Sequence, residues 1–135
     1  MARSAVRAGH VSVESSLLSG TLRDNLTLGE QISDIDVRTC LSSLGLSGPR
    51  FEDLDSTLLA DGKGISTGER VRLSLARALL ARPELMIMDD VAGVLDADSR
   101  RLVRDVLNDH PLLGLIEATV DTPLLDHTTY TIVLP

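Results

Sequence analysis

Two short groups of residues in this chain have the types and spacing for phosphate chemistry. The first is Ser66-Thr67-Gly68-Glu69, which opens the run Arg70-Val71-Arg72-Leu73-Ser74-Leu75-Ala76-Arg77-Ala78-Leu79-Leu80. A hydroxyl and a glycine at a helix start leave N–H groups exposed at the positive end of the helix dipole, where an anion is favoured. The second group is Asp89-Asp90, directly after the apolar run Leu85-Met86-Ile87-Met88. A carboxylate at the carboxyl edge of a parallel sheet can hold Mg²⁺, usually through water. A second acid within hydrogen-bond reach of a water can act as a general base. Both groups also have a plainer reading. Ser66-x-x-Glu69 is by itself a capping box, and paired acids after a strand often only cap the next element.

The elements that must position these residues are read from periodicity and punctuation. Val6 to Val13 alternates loosely and reads as a short strand, followed by a loop over Ser15 to Gly20. Thr21-Leu22-Arg23-Asp24 has capping-box spacing for a short helix. Ser33-Asp34 starts a second helix with Val37, Cys40, Leu41 and Leu44 on one face, ended by Gly45, Gly48 and Pro49. Phe51 to Gly64 reads as irregular, with one turn of helix around Leu54. The helix after Ser66 runs to about Ala81, where Arg82-Pro83 stops it. Leu85 to Met88 is a continuous apolar run of strand length, as expected for a strand buried on both faces. Asp96-Ala97-Asp98-Ser99 supplies an N-cap for a helix to about Asn108 that buries Leu102, Val103, Val106 and Leu107. Leu112 to Ala118 and Thr128 to Leu134 read as closing strands. Strands separated by helices predict an α/β fold with a parallel sheet. Residues 15–64 carry no convincing strand and read as a mostly helical lobe, with residues 65–135 forming the rest of the domain.

Composition excludes several classes. The 135 residues allow one domain or part of one, and 43% apolar residues supply a core. That core is aliphatic, because Phe51 and Tyr130 are the only large aromatics; base-stacking platforms are therefore disfavoured. A net charge of −7 disfavours a nucleic-acid surface, which needs a basic patch. Cys40 is the single cysteine, so there is no intrachain disulfide and no cysteine-based metal site. No apolar run approaches the length of a membrane span, and residues 1–7 lack the apolar core of a secretion signal. Asp61-Gly62-Lys63-Gly64 imitates a phosphate loop, but it does not fit G-x-x-x-x-G-K-(S/T).

Residues 66–83 closely resemble the LSGGQ signature and the QRQRLALARALLRNP run of ATP-binding cassette (ABC) ATPases. Asp89 then stands at the Walker B aspartate, Asp90 where the family usually has a glutamate, and Gly93-Val94-Leu95-Asp96 resembles the D-loop. Gly9 to Leu26 resembles the Q-loop region of exporter-type members, close to YVPQDPFLFSGTIRENI, with Val13 at the glutamine position. Leu115 to Asp121 resembles the strand leading to the switch histidine, with Val120 at that position; His127 reads as an exposed loop residue.

The resemblance implies an α/β, partial P-loop NTPase core with parallel strands plus a helical subdomain. It places Ser66, Thr67, Gly68 and Glu69 against ATP held in trans by a partner ABC ATPase subunit, in a homodimer or heterodimer. It implies Mg²⁺ near Asp89, a shortened and weakened catalytic base at Asp90, and an interface position for Asp96. Thr67 replaces a glycine there, so a β-branched side chain opposes close backbone approach or a positive φ. Glu69 adds negative charge where phosphate would sit. The Walker A strand-loop-helix and the adenine-stacking aromatic are expected before Met1. ATP and Mg²⁺ would then be engaged only with a partner or with that upstream half, and ATPase activity alone would be small or absent. A transmembrane domain is the further implied partner, which puts the chain in the cytoplasm at the inner face of a membrane. Two alternatives stay open: a regulatory or scaffold module that keeps the fold, and part of a soluble ABC ATPase.

Overall fold

The structure is a computed structural model that describes residues 5–58, 62–111, 114–120 and 122–125. Three parallel strands form the main sheet in the order β1 (Ala8–Ser12), β4 (Leu85–Asp89), β5 (Gly114–Ala118). Their register pairs Ser12 with Asp89 and Asp89 with Ala118, so the ends of all three strands meet at one edge. Between β1 and β4 come β2 (Gly20–Thr21), α1 (Leu22–Thr27), α2 (Asp34–Ser43), α3 (Pro49–Glu52), β3 (Thr57–Leu58) and α4 (Thr67–Leu80). A 3₁₀ turn, Ala92–Val94, and α5 (Ala97–Asp109) link β4 to β5. The α/β class and the parallel sheet expected from the sequence are both present.

Helix α4 is the centre of the packing. Val71, Leu73, Leu75, Ala76 and Leu79 are buried on widely separated faces of it, as expected for a helix surrounded by other elements. It packs against β1, α1 and α2. Cys40 donates its thiol toward the Ala76 carbonyl across the α2–α4 contact, and burial pushes that thiol up to about 11. It behaves as a small apolar side chain. Arg77 reaches the other way and donates to the Ser16 carbonyl at 3.0 Å, tying α4 to the loop after β1. That loop is held further by Asn25, whose side-chain amide exchanges hydrogen bonds of 2.7 and 2.8 Å with the Leu18 backbone.

The predicted caps form. Thr21 and Asp24 make a reciprocal capping box at α1, and Ser33 accepts from the Asp36 N–H at α2. Val37, Leu41 and Leu44 are buried and Cys40 half-buried, so the expected face of α2 is its core face. In α5, Val103 and Leu107 are buried while Leu102 and Val106 are only partly so.

Four expectations need correction. Residues 15–64 do contain strands, because β2 and β3 pair antiparallel and continue into bonds from the Leu22 N–H to the Ser56 carbonyl and from the Arg23 N–H to the Leu54 carbonyl. Two-residue strands are too short to leave a period in the sequence. The helical turn expected at Leu54 lies earlier, because Pro49 starts α3 at its first position instead of ending α2, where its fixed φ suits it. The end of α2 belongs to Gly45, at φ 68°, where an added Cβ would also lie 2.7 Å from Leu102 Cδ1. Finally, β4 is fully buried on one face only: Met86 and Met88 are inaccessible, whereas Leu85 and Ile87 are half-buried. The second face carries His10, Ile87 and Ile116 in register, and no described helix closes it. The strand expected over residues 128–134, and His127, lie outside the described residues.

Leu75 is fully buried and Ile35 is 77% exposed, so the two test this packing directly. Leu75→Ala should cost about 3 kcal/mol of unfolding free energy by urea titration, and Ile35→Ala less than about 0.5 kcal/mol.

Candidate functional site

Ser66 is the N-cap of α4, and its capping box is complete. The Glu69 N–H donates to Ser66 Oγ at 3.1 Å, and the Ser66 N–H donates to Glu69 Oε2 at 2.9 Å. The first-turn N–H groups of Thr67 and Gly68 have no acceptor within the helix, and Ser66 and Thr67 are exposed. This end of α4 therefore offers two backbone donors and a hydroxyl to solvent, backed by the helix dipole. Thr67 is the first helical residue and needs no positive φ, so that part of the objection does not apply. The charge of Glu69 is turned back onto its own cap and toward Arg50, whose Nη1 lies 3.5 Å from Glu69 Oε2. Arg50 also donates to the Gly64 carbonyl.

Gly68 brings this helix end against the 3₁₀ turn. A Cβ on Gly68 would lie 3.3 Å from the Val94 carbonyl oxygen, closer than most side chains tolerate, so glycine suits the contact. Arg72, one turn along, donates to the carbonyls of Leu44 at 2.9 Å, Gly45 at 3.2 Å and Gly68 at 3.2 Å. It thereby joins the end of α2 to the start of α4. Arg100 donates to the Ala92 carbonyl at 3.0 Å and fixes the turn from the α5 side. Nothing in the sequence assigns these roles to Arg50, Arg72 and Arg100. Each acts on a backbone carbonyl distant in the chain, and a carbonyl leaves no mark on residue types.

Asp96 caps α5 by accepting the Ser99 N–H at 2.8 Å and remains exposed. That backbone bond, then the Ser99 hydroxyl, hold its carboxyl below the usual 3.8. The capping reading is thus realised, and it leaves the carboxylate on the surface beside the Ala92–Val94 turn.

Asp89 ends β4 and Asp90 comes directly after it, both exposed at the carboxyl edge of the sheet. Asp90 sits at φ 52°, and its N–H donates to the Ala118 carbonyl at 2.7 Å, closing the edge onto β5. Aspartate accepts this left-handed conformation more readily than most residues. Among the described residues no group of three or more His, Cys, Asp or Glu side chains could hold a metal ion. The Asp89 carboxylate is an exposed oxygen donor at this edge, chemistry that would suit a Mg²⁺ keeping most of its waters. Val13 is half-buried just beyond β1, and Val120 is 92% exposed just beyond β5. Gly62 and Gly64, at φ 63° and 81°, lie in a turn between β3 and α4, and Gly64 after Lys63 breaks the G-x-x-x-x-G-K-(S/T) pattern of a phosphate loop.

Two measurements test these caps. Ser66→Ala should cost about 1 kcal/mol of stability, because the Glu69 N–H loses its acceptor. The Asp96 carboxyl should titrate below 3.8 by NMR. Because its folded pKa is depressed, the stability it contributes is present above the unfolded value and lost as pH falls through the folded one; Asp96→Asn should remove that part of the acid dependence.

Comparison with known proteins agrees with this geometry. Residues 2–93 match the family model described as ABC transporter. The chain is 34% identical over 107 residues to the ABC-type transmembrane transporter verA of Clonostachys rogersoniana, covering 75% of this chain and 8% of that protein. It is 37% identical over 97 residues to the glutathione/L-cysteine transport system ATP-binding/permease protein CydD of Haemophilus influenzae, covering 69% and 16%. It is 33% identical over 106 residues to the multidrug resistance ABC transporter ATP-binding and permease protein of Lactococcus lactis, covering 74% and 18%. The chain thus spans less than a fifth of the length of each of these relatives. With a parallel sheet ending in Asp89 and a capped α4 opening beside the Ala92–Val94 turn, the chain belongs to the ABC transporter family, in the nucleotide-binding domain of its exporter-like members.

Proposed function

We propose that this chain supplies the signature side of a composite ATP site, with the nucleotide held by a partner ABC ATPase subunit. The observation that carries this reading is the exposed end of α4, where Ser66 Oγ and the N–H groups of Thr67 and Gly68 stand beside the turn that leads to Asp96. Bound there in trans, a γ-phosphate would be met by those donors, while Glu69 stays paired to its own cap and to Arg50. Asp96 lies in the interface. Asp89 would hold Mg²⁺, which would supply charge neutralisation for a transferring phosphoryl group. Asp90 is a weak base, one methylene shorter than a glutamate. The chain's residues contain no G-x-x-x-x-G-K-(S/T) run, so positioning of the phosphates depends on a partner or on further sequence, and activity of the chain alone is small. A transmembrane domain is the other partner, which places the chain in the cytoplasm at the inner face of a membrane.

A second reading rests on the same cap. Ser66 and Glu69 satisfy each other without a ligand, which is sufficient for a scaffold module that keeps the fold.

Titration with ATP and Mg²⁺, alone and with a Walker-A-bearing ABC ATPase subunit, separates the two. The expected result is weak binding alone and ATP-dependent association with the subunit, abolished by Ser66→Arg. Tight ATP binding by the isolated chain would overturn the trans assignment, and association indifferent to ATP would favour the scaffold.

A further inference from the structure

A second group of donors lies at the opposite end of the sheet. A cavity of about 280 Å³ is lined by Arg7, Arg82, Pro83, Glu84, His110 and Pro111. Arg7 directly precedes β1, Glu84 directly precedes β4, and His110 comes after α5 on the way into β5. The floor is fixed by backbone bonds: the Glu84 N–H donates to the Arg7 carbonyl at 2.8 Å and the Gly114 N–H to the Glu84 carbonyl at 3.2 Å. Arg82 is held at φ 53° by the end of α4, where its N–H donates to the Leu79 carbonyl at 2.9 Å.

The distribution of partners singles this cavity out. Every other described arginine side chain, and Lys63, has an interaction partner. The guanidinium groups of Arg7 and Arg82 have none among the described residues, and both line this one cavity. His110 Nδ1, in the same lining, is buried without a hydrogen-bond partner. The one carboxylate, Glu84, already accepts the Arg7 backbone N–H at 3.1 Å. Two guanidinium groups against one carboxylate leave the lining with a net charge of +1, in a chain whose net charge is −7.

We propose that this cavity is a binding site for a phosphate-class oxyanion. Planar guanidinium forks match tetrahedral oxyanions with paired N–H donors, and the His110 imidazole lines the same cavity. The ligand is either the free ion or the phosphoryl group of a small monoester. The site lies at the far end of β4 from Asp89 and does not depend on the nucleotide reading of α4.

The test is NMR titration of the chain with inorganic phosphate, and separately with methyl phosphate, against chloride at matched ionic strength. Saturable shifts at Arg7, Arg82 and His110 are expected. Arg7→Gln and Arg82→Asn should each weaken binding roughly tenfold, the loss of one charge-assisted contact. Asparagine accepts a positive φ, so Arg82→Asn removes the charge while keeping the fold, and dispersed amide resonances would verify that. Equal binding of both ligands assigns the site to a phosphoryl group, and binding of inorganic phosphate alone assigns it to the free ion. Shifts no larger than those with chloride, or shifts that persist in the double variant, would overturn the proposal.

Discussion

The enclosure of α4 is the constraint on which the rest of the structure depends. Five apolar residues on different faces of one helix cannot be hidden by a single neighbour, so β1, α1 and α2 gather round it. Once its flanks are covered, the start of the helix is where its unpaired donors meet water. The same packing that stabilises the domain therefore leaves Ser66, Thr67 and Gly68 presenting N–H groups and a hydroxyl outward. Burial of each of its valine and leucine side chains contributes about 1.5–3 kcal/mol, far more than any surface pair here.

Arginines connect this helix to its surroundings through backbone carbonyls more than through carboxylates. Arg72, Arg77 and Arg100 each donate to a carbonyl at a helix end, in a loop or in a turn. A guanidinium is suited to this, since several donors in one plane can reach two or three carbonyls at once. Arg72 ties the start of α4 to the end of α2, Arg77 ties its last turn to the loop after β1, and Arg100 ties α5 to the turn before it. Glu69 completes the arrangement by taking its charge back into the cap and toward Arg50, so the helix end remains electropositive despite an acid in its first turn.

Much of this is legible in the residues, for reasons that differ by element. The caps at Thr21, Ser33, Ser66 and Asp96 are local: donor and acceptor lie three residues apart, so spacing alone reveals them. The face of α2 and the stop at Arg82-Pro83 are local in the same sense. The β2–β3 pair is not legible, because two-residue strands carry no period and their partners lie 36 or more residues away. Pro49 reads in sequence as a terminator and serves in the fold as a start, because proline both ends one helix and begins the next. The chemical type of the Ser66–Glu69 and Asp89–Asp90 groups can be read, yet each keeps a plainer alternative that spacing does not remove.

By itself, the sequence determined the α/β class, the starts of α1, α2, α4 and α5, and the family, since all are written in short-range pattern and motif. Tertiary structure decided which of these surfaces meet. It set Gly68 against the Val94 carbonyl, turned Glu69 toward Arg50, and left one face of β4 only half covered. It also gathered Arg7, Arg82 and His110 around one cavity from three separate parts of the chain. The physical reason is common to all four. Backbone approach, the cover over a sheet and the pairing of charges depend on distances across the fold, and residue order does not specify them.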